Sequence, residues 1–195
     1  MKLSQRFEQA LIYAGQVHAD QQRKGSGTPY IAHLLGTASL TLEYGGDEDQ
    51  AIAALLHDAP EDQGGRERLE EIRAQFGERV AHIVEGCTDS WVKPKPPWRE
   101  RKEKYIRHLP EAGEDVLLVS CCDKLYNTRA ILRDLRRLGP AVWERFNGKR
   151  DGTLWYYRTL VETYRRITDM EVVEELARAV RALEALADEM EGGKG

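Results

Sequence analysis

The amino-acid sequence predicts an all-α fold, a single-domain helical bundle, on three observations. Apolar residues recur at helical spacing through nearly every segment. No stretch shows the two-residue alternation of a half-buried strand. Residues that start or stop helices fall at the ends of the periodic runs, and the linkers between runs are short.

Each element follows from the residues that bound it. The first helix is expected from near Ser4 to about Arg23, with Phe7, Leu11, Ala14 and His18 at helical spacing. Thr28 is the expected N-cap of the second, with Pro29 at its first position. That helix carries Ile31, Leu34, Leu35, Ala38 and Leu42 as one stripe and stops at Gly45-Gly46. Asp47 caps a third helix, which closes at His57-Asp58. Further helices are expected at about 66–76, 78–88, 97–109, 114–138, 140–146, 152–168 and 171–190. Prolines disfavour helix in Ser90-Trp91-Val92-Lys93-Pro94-Lys95-Pro96-Pro97. Residues 18–130 hold the motifs that carry chemistry, and 140–190 read as packing helices.

Composition narrows the function classes. The 195 residues fit one domain, and 41% hydrophobic with 32% charged residues describes an ordinary soluble globular chain. A net charge of −4 gives no basic field for nucleic acid. No apolar run approaches the ~20 residues of a membrane span. The start of the chain is too polar for a signal peptide. Three cysteines, Cys121 and Cys122 adjacent, make a poor disulfide framework. The expected compartment is the cytoplasm.

Asp123 is a carboxylate inside the apolar run Val116 to Leu132, where an unpaired buried charge costs several kcal/mol or more. His57-Asp58 closes the apolar run Ala51 to Leu56 in the same way. Asp58, Glu61 and Asp62 then gather acids at a helix C-terminus, which disfavours them unless a cation sits there. His33 lies about 200° from Ile31 at roughly 100° per residue, so it faces either solvent or a second, functional interior. Read alone, His33 is a surface or hydrogen-bonded residue and the acids after His57 a solvated loop; one divalent metal held by His33, His57, Asp58 and Asp123 accounts for all four. Two imidazoles and two carboxylates suit manganese, iron or zinc better than Mg²⁺. Such an ion lowers the pKa of its water, and Glu61 and Asp62, a turn beyond Asp58, are near enough to orient or deprotonate it.

These residues carry a resemblance. Arg23-Lys24-Gly25-Ser26-Gly27-Thr28-Pro29-Tyr30-Ile31-Ala32-His33, His57-Asp58-Ala59-Pro60-Glu61-Asp62 and Asp123-Lys124-Leu125-Tyr126-Asn127-Thr128-Arg129 resemble, in order, the motifs of HD-domain phosphohydrolases. More narrowly, they resemble the (p)ppGpp hydrolase domain of bifunctional alarmone enzymes and the stand-alone small alarmone hydrolases. The resemblance implies a helical bundle of HD type that removes the 3′-pyrophosphate of a purine alarmone with one Mn²⁺ ion. It implies His33, His57, Asp58 and Asp123 as metal ligands and Glu61 with Asp62 as the water-activating pair. It implies substrate contacts from Arg23, Lys24 and Asn127, the last one helical turn after Asp123.

Between Lys93 and Arg107, the bases Lys93, Lys95, Arg99, Arg101, Lys102, Lys104 and Arg107 meet only Glu100 and Glu103. The segment reads either as a phosphate-facing lid, with Arg101 and Lys102 as contacts to pyrophosphate, or as a solvated helix face. Trp155, Tyr156 and Tyr157 read as core, with one tyrosine as a candidate to reach ribose or phosphate. The last helix is amphipathic and reads as bundle packing or self-association. The expected partner is a small-molecule nucleotide, with no nucleic acid and no membrane. Two other readings stay open: an HD-type nucleotidase or pyrophosphohydrolase acting on another nucleotide, and a non-catalytic nucleotide-binding regulatory module.

Overall fold

Two apolar cores, joined by one long helix, organise the chain. The computed structural model describes residues 2–91 and 94–192. Lys93 of the basic segment and the middle of the 90–97 linker therefore lie outside the described residues. Those residues form α1 (Gln5–Val17), α2 (Ile31–Glu43), α3 (Glu48–Leu56), α4 (Ala59–Asp62), α5 (Gly65–Phe76), α6 (Glu78–Cys87), α7 (Trp98–His108), α8 (Glu114–Leu138), α9 (Lys149–Ile167) and α10 (Glu171–Gly192). Two 3₁₀ segments, Leu109–Glu111 and Gly139–Arg145, flank α8. An isolated antiparallel bridge, Gln22 with Pro29, is the only strand-like pairing among the described residues. The fold is an all-α bundle, as the periodicity requires.

The first core gathers Ala10 and Ala14 of α1, Leu34 of α2, Leu55 of α3, Ile72 of α5 and Ile83 of α6, and receives Val119 from α8. The second gathers Leu118, Cys121 and Leu125 of α8 with Leu160 of α9 and Leu176 and Leu183 of α10. Burying side chains of this size stabilises by about 1.5–3 kcal/mol each. Both cores lay claim to α8, so it is buried almost all round from Val116 to Asp123.

Local rules hold where the sequence states them. Asp47 caps α3 in a capping box: its Oδ1 accepts from the Gln50 amide at 3.0 Å, and Gln50 Oε1 accepts from the Asp47 amide at 2.8 Å. Gly45 ends α2 with φ +86.

Several expected boundaries move. The first helix stops at Val17 rather than Arg23, because residues 21–30 fold back as a hairpin. The Arg23 amide donates to the Thr28 carbonyl at 2.8 Å and the Tyr30 amide to the Gln21 carbonyl at 2.9 Å. Pro29 is thereby held in the bridge, Thr28 does not cap, and Tyr30 precedes α2. His18, expected within the first helix, is its C-cap residue. The third helix closes at Leu56, and α4 starts at Ala59 with Pro60 in its second position. Glu61 and Asp62 thus stand on a separate one-turn helix that itself ends at Asp62, and not on the last turn of α3. The segment expected as a helix at 140–146 is a 3₁₀ run.

Candidate active site

Four chain segments meet where the two cores adjoin. His33 comes from α2, His57 from the end of α3, Asp58 from the turn into α4 and Asp123 from the middle of α8. His33 is 1% exposed and His57 2%, so the second of the two orientations open to His33 holds: it points inward.

The geometry is a ring of alternating nitrogen and oxygen. His33 Nε2 lies 3.3 Å from Asp58 Oδ2 and 3.2 Å from Asp123 Oδ1. His57 Nε2 lies 3.1 Å from the same Asp58 oxygen and 3.6 Å from the same Asp123 oxygen. His33, His57 and Asp58 offer ligand atoms within 4.8 Å of one another, and Asp123 joins through both imidazoles. The His57 Nδ1–H donates to the Ala54 carbonyl at 2.8 Å, which leaves Nε2 as the nitrogen that faces the ring. That buried Nε2 has no hydrogen-bond partner. Ligands roughly 2.1 Å from one ion at 90–109° stand roughly 3.0–3.4 Å apart, so these residues fit a divalent metal.

Electrostatics agree. Burial works against a charged His57, but the Asp58 and Asp123 carboxylates outweigh it and hold its pKa well above the ordinary histidine value. Burial likewise opposes ionisation of Asp123, yet Lys124 and the two imidazoles hold its carboxyl well below the usual range. Lys124 Nζ donates to Asp123 Oδ2 at 2.5 Å. The carboxylates thus favour a positive charge at the inward nitrogen of His57, as a proton or as a divalent cation that would displace it.

The remaining expected residues surround this ring. Glu61 and Asp62 lie in the same cleft, and both are engaged: Lys95 Nζ is 2.6 Å from Glu61 Oε1 and 3.6 Å from Asp62 Oδ1. Burial and the nearby Asp89 charge raise the pKa of Glu61, which makes it the better base. Asn127 donates to Asp123 Oδ1 at 2.5 Å and accepts from Arg23 at 2.7 Å, so basic loop and ring are one network. Lys24 is exposed on the cleft wall. Arg101 and Lys102 also line the cleft, but Asp89 holds both, each at 2.7 Å. Asp89 is itself held down at about 2: burial opposes this, and the Lys102 and Arg101 charges prevail.

Several residues enter that the sequence did not single out. Tyr30 donates to Asp58 Oδ2 at 2.7 Å, and Gln21 donates to Asp62 Oδ2 at 2.7 Å. His18 stacks on Tyr30 with ring centroids 5.2 Å apart. Tyr30 and Gln21 belong to the refolded 21–30 hairpin, whose pairing no periodicity announces. The cleft has a volume of about 580 Å³ and runs from the acids past Tyr126 and Tyr157 to Arg145, a nucleotide-sized space.

Known proteins resemble this chain in sequence and fold. A family profile described as HD domain matches residues 10–154. Guanosine-3′,5′-bis(diphosphate) 3′-pyrophosphohydrolase MESH1 of Xenopus tropicalis is 42% identical over 138 residues, covering 69% of this chain and 72% of the relative. The Homo sapiens protein of that name is 38% identical over 138 residues, with the same coverage of 69% and 72%. The guanosine-3′,5′-bis(diphosphate) 3′-pyrophosphohydrolase of Aquifex aeolicus is 38% identical over 131 residues, covering 66% of this chain and 18% of that longer protein. A solved structure described as a metazoan ortholog of SpoT that hydrolyses ppGpp superposes with a TM-score of 0.71 at 28% identity, covering 100% of this chain and 98% of that one. With its profile match, its motif order and its ring of imidazoles and carboxylates, this chain belongs to the HD-domain family, among the relatives of MESH1 and SpoT.

Proposed function

We propose that this protein is a metal-dependent phosphohydrolase that removes the 3′-pyrophosphate of a purine alarmone such as (p)ppGpp. The products are pyrophosphate and a nucleoside 5′-di- or triphosphate. The observation that carries the reading is the juxtaposition of the His33/His57/Asp58/Asp123 ring with Glu61 and Asp62 at the acid end of a cleft walled by Arg23, Lys24 and Asn127. Relatives that bear this activity in their names cover more than two-thirds of the chain, which supports the substrate class.

His33, His57, Asp58 and Asp123 are the metal ligands, and their mixed donor set favours Mn²⁺. A bound ion there lowers the pKa of a water and polarises a phosphoryl oxygen. Glu61 takes the proton of the attacking water, and Asp62, steadied by Gln21, orients it. The water oxygen bonds to the phosphorus carried on the 3′-oxygen, that P–O bond breaks, and the proton ends on the 3′-oxygen. Arg23, Lys24 and Asn127 hold the nucleotide, while Lys95, Arg101 and Lys102 supply positive charge for the phosphates. All of residues 1–195 act as one hydrolase unit. The compartment is the cytoplasm, in keeping with the free thiols of Cys87, Cys121 and Cys122.

The test is release of pyrophosphate from ppGpp by the purified protein with Mn²⁺. Cleavage of nucleoside monophosphates without cleavage of any purine 3′-pyrophosphate would replace this reading with the nucleotidase one.

A further inference from the structure

Among the described residues, Tyr156 carries a hydroxyl that folding alone does not explain. The side chain lies on α9, is 5% exposed, and its buried oxygen has no hydrogen-bond partner. Other buried tyrosines are served: Tyr105 and Tyr164 each meet the Ser120 hydroxyl at 2.5 Å. Leaving a buried hydroxyl unpaired costs about 1–3 kcal/mol, and phenylalanine would fill the same volume without that cost.

Its position supplies the reason. Tyr156 lines both the large cleft and a smaller cavity of about 140 Å³ that adjoins it. Every wall of that inner cavity carries a polar side chain, so a nucleobase finds no apolar face there. Four carboxylates line it, Asp58 and Asp123 of the ring with Glu61 and Asp89, and Lys102 and Lys124 bring two ammonium groups, paired with Asp89 and Asp123. Lys102 Nζ lies 4.9 Å from the centroid of the Tyr156 ring, and Trp98 packs edge-on against that ring at 6.2 Å, fixing its orientation. With a divalent ion on the ring to offset those carboxylates, an O–H donor beside two ammonium groups matches the non-bridging oxygens of a phosphate chain.

We infer that the inner cavity seats the 3′-diphosphate and that the Tyr156 hydroxyl donates a hydrogen bond to it. Lys102 and Lys124 flank the same group. The inference rests on the proposed phosphohydrolase reading and extends it to a residue that chooses between substrates with and without a diphosphate.

Tyr156→Phe tests it, because the change removes one oxygen and nothing else. Three results are expected: kcat/KM for ppGpp falls about tenfold to a hundredfold; inhibition by added pyrophosphate weakens by a similar factor while inhibition by GDP is unchanged; and Tm stays level or rises, since an unsatisfied hydroxyl has gone. A role in packing alone gives a lower Tm and equal effects on both inhibitors, and overturns the assignment. Calorimetric binding of inorganic pyrophosphate to the Mn²⁺-loaded protein needs no turnover, so it separates this inference from the reaction itself. Weaker binding by Y156F supports the seat even if ppGpp is not cleaved. Equal binding by both proteins, or binding by neither, overturns it.

Discussion

Asp123 sits among apolar neighbours because Lys124, Asn127 and the two imidazoles surround its oxygens. Removing it therefore does two things. Asp123→Ala should lose bound metal and also destabilise the fold by about 3–5 kcal/mol, since Lys124 is left buried without its partner. Asp123→Asn keeps an acceptor for Lys124 and should lose metal at a smaller cost in Tm. Metal analysis and thermal melts together check this, and a fully metallated alanine variant contradicts the assignment. Glu61→Gln and Asp62→Asn should retain metal but lower pyrophosphate release, for Glu61 by about a hundredfold or more; an unchanged rate removes the residue from the mechanism. His33, His57, Asp58 and Asp123 were legible because each contrasts with apolar or helical surroundings. Tyr30, Gln21 and Asp89 had no such contrast, and the ion pairs of Lys95 with the two acids were not legible either. All four are common surface types in sequence, and their partners lie 28, 41, 12 and 34 residues away.

At the level of elements, α2 and α8 approach so closely that a side chain at Gly36 has no room. A Cβ there would stand 1.9 Å from the Tyr126 ring, which in turn packs on His33 with centroids 5.1 Å apart. Gly36→Ala gains about 1 kcal/mol of helix propensity and loses about 1–3 kcal/mol to overpacking, so Tm should fall and metal binding weaken. Gly15→Ala, in α1 with nothing within 4 Å of the new Cβ, should raise Tm by a few degrees. Equal upward shifts in the two variants would show that the Tyr126 ring yields. Most helices were readable to within a few residues, because capping and periodicity are local. The 21–30 hairpin was not: its two backbone hydrogen bonds outweigh a helical pattern that runs on past Val17.

For the whole molecule, the all-α bundle was legible from periodicity, but its division into two cores was not. Apolar spacing says which face of a helix is buried and not against which partner. The ring lies between these cores, so a bound ion holds them together. Saturating metal at about a hundred times its Kd adds about 2.7 kcal/mol, and chelation should lower Tm by roughly 5–10 °C for a chain of this size. A melt unmoved by chelator would mean that nothing is held at the ring. The double claim on α8 also reaches into sequence divergence. The family match ends at residue 154, yet α10 packs along the helix that presents Asp123. The tail of the chain therefore has to keep an apolar bed under α8. Leu176→Ala, remote from the cleft, should cost about 2–5 kcal/mol of stability and loosen the bed of the helix that carries Asp123, so Tm and metal affinity should fall together.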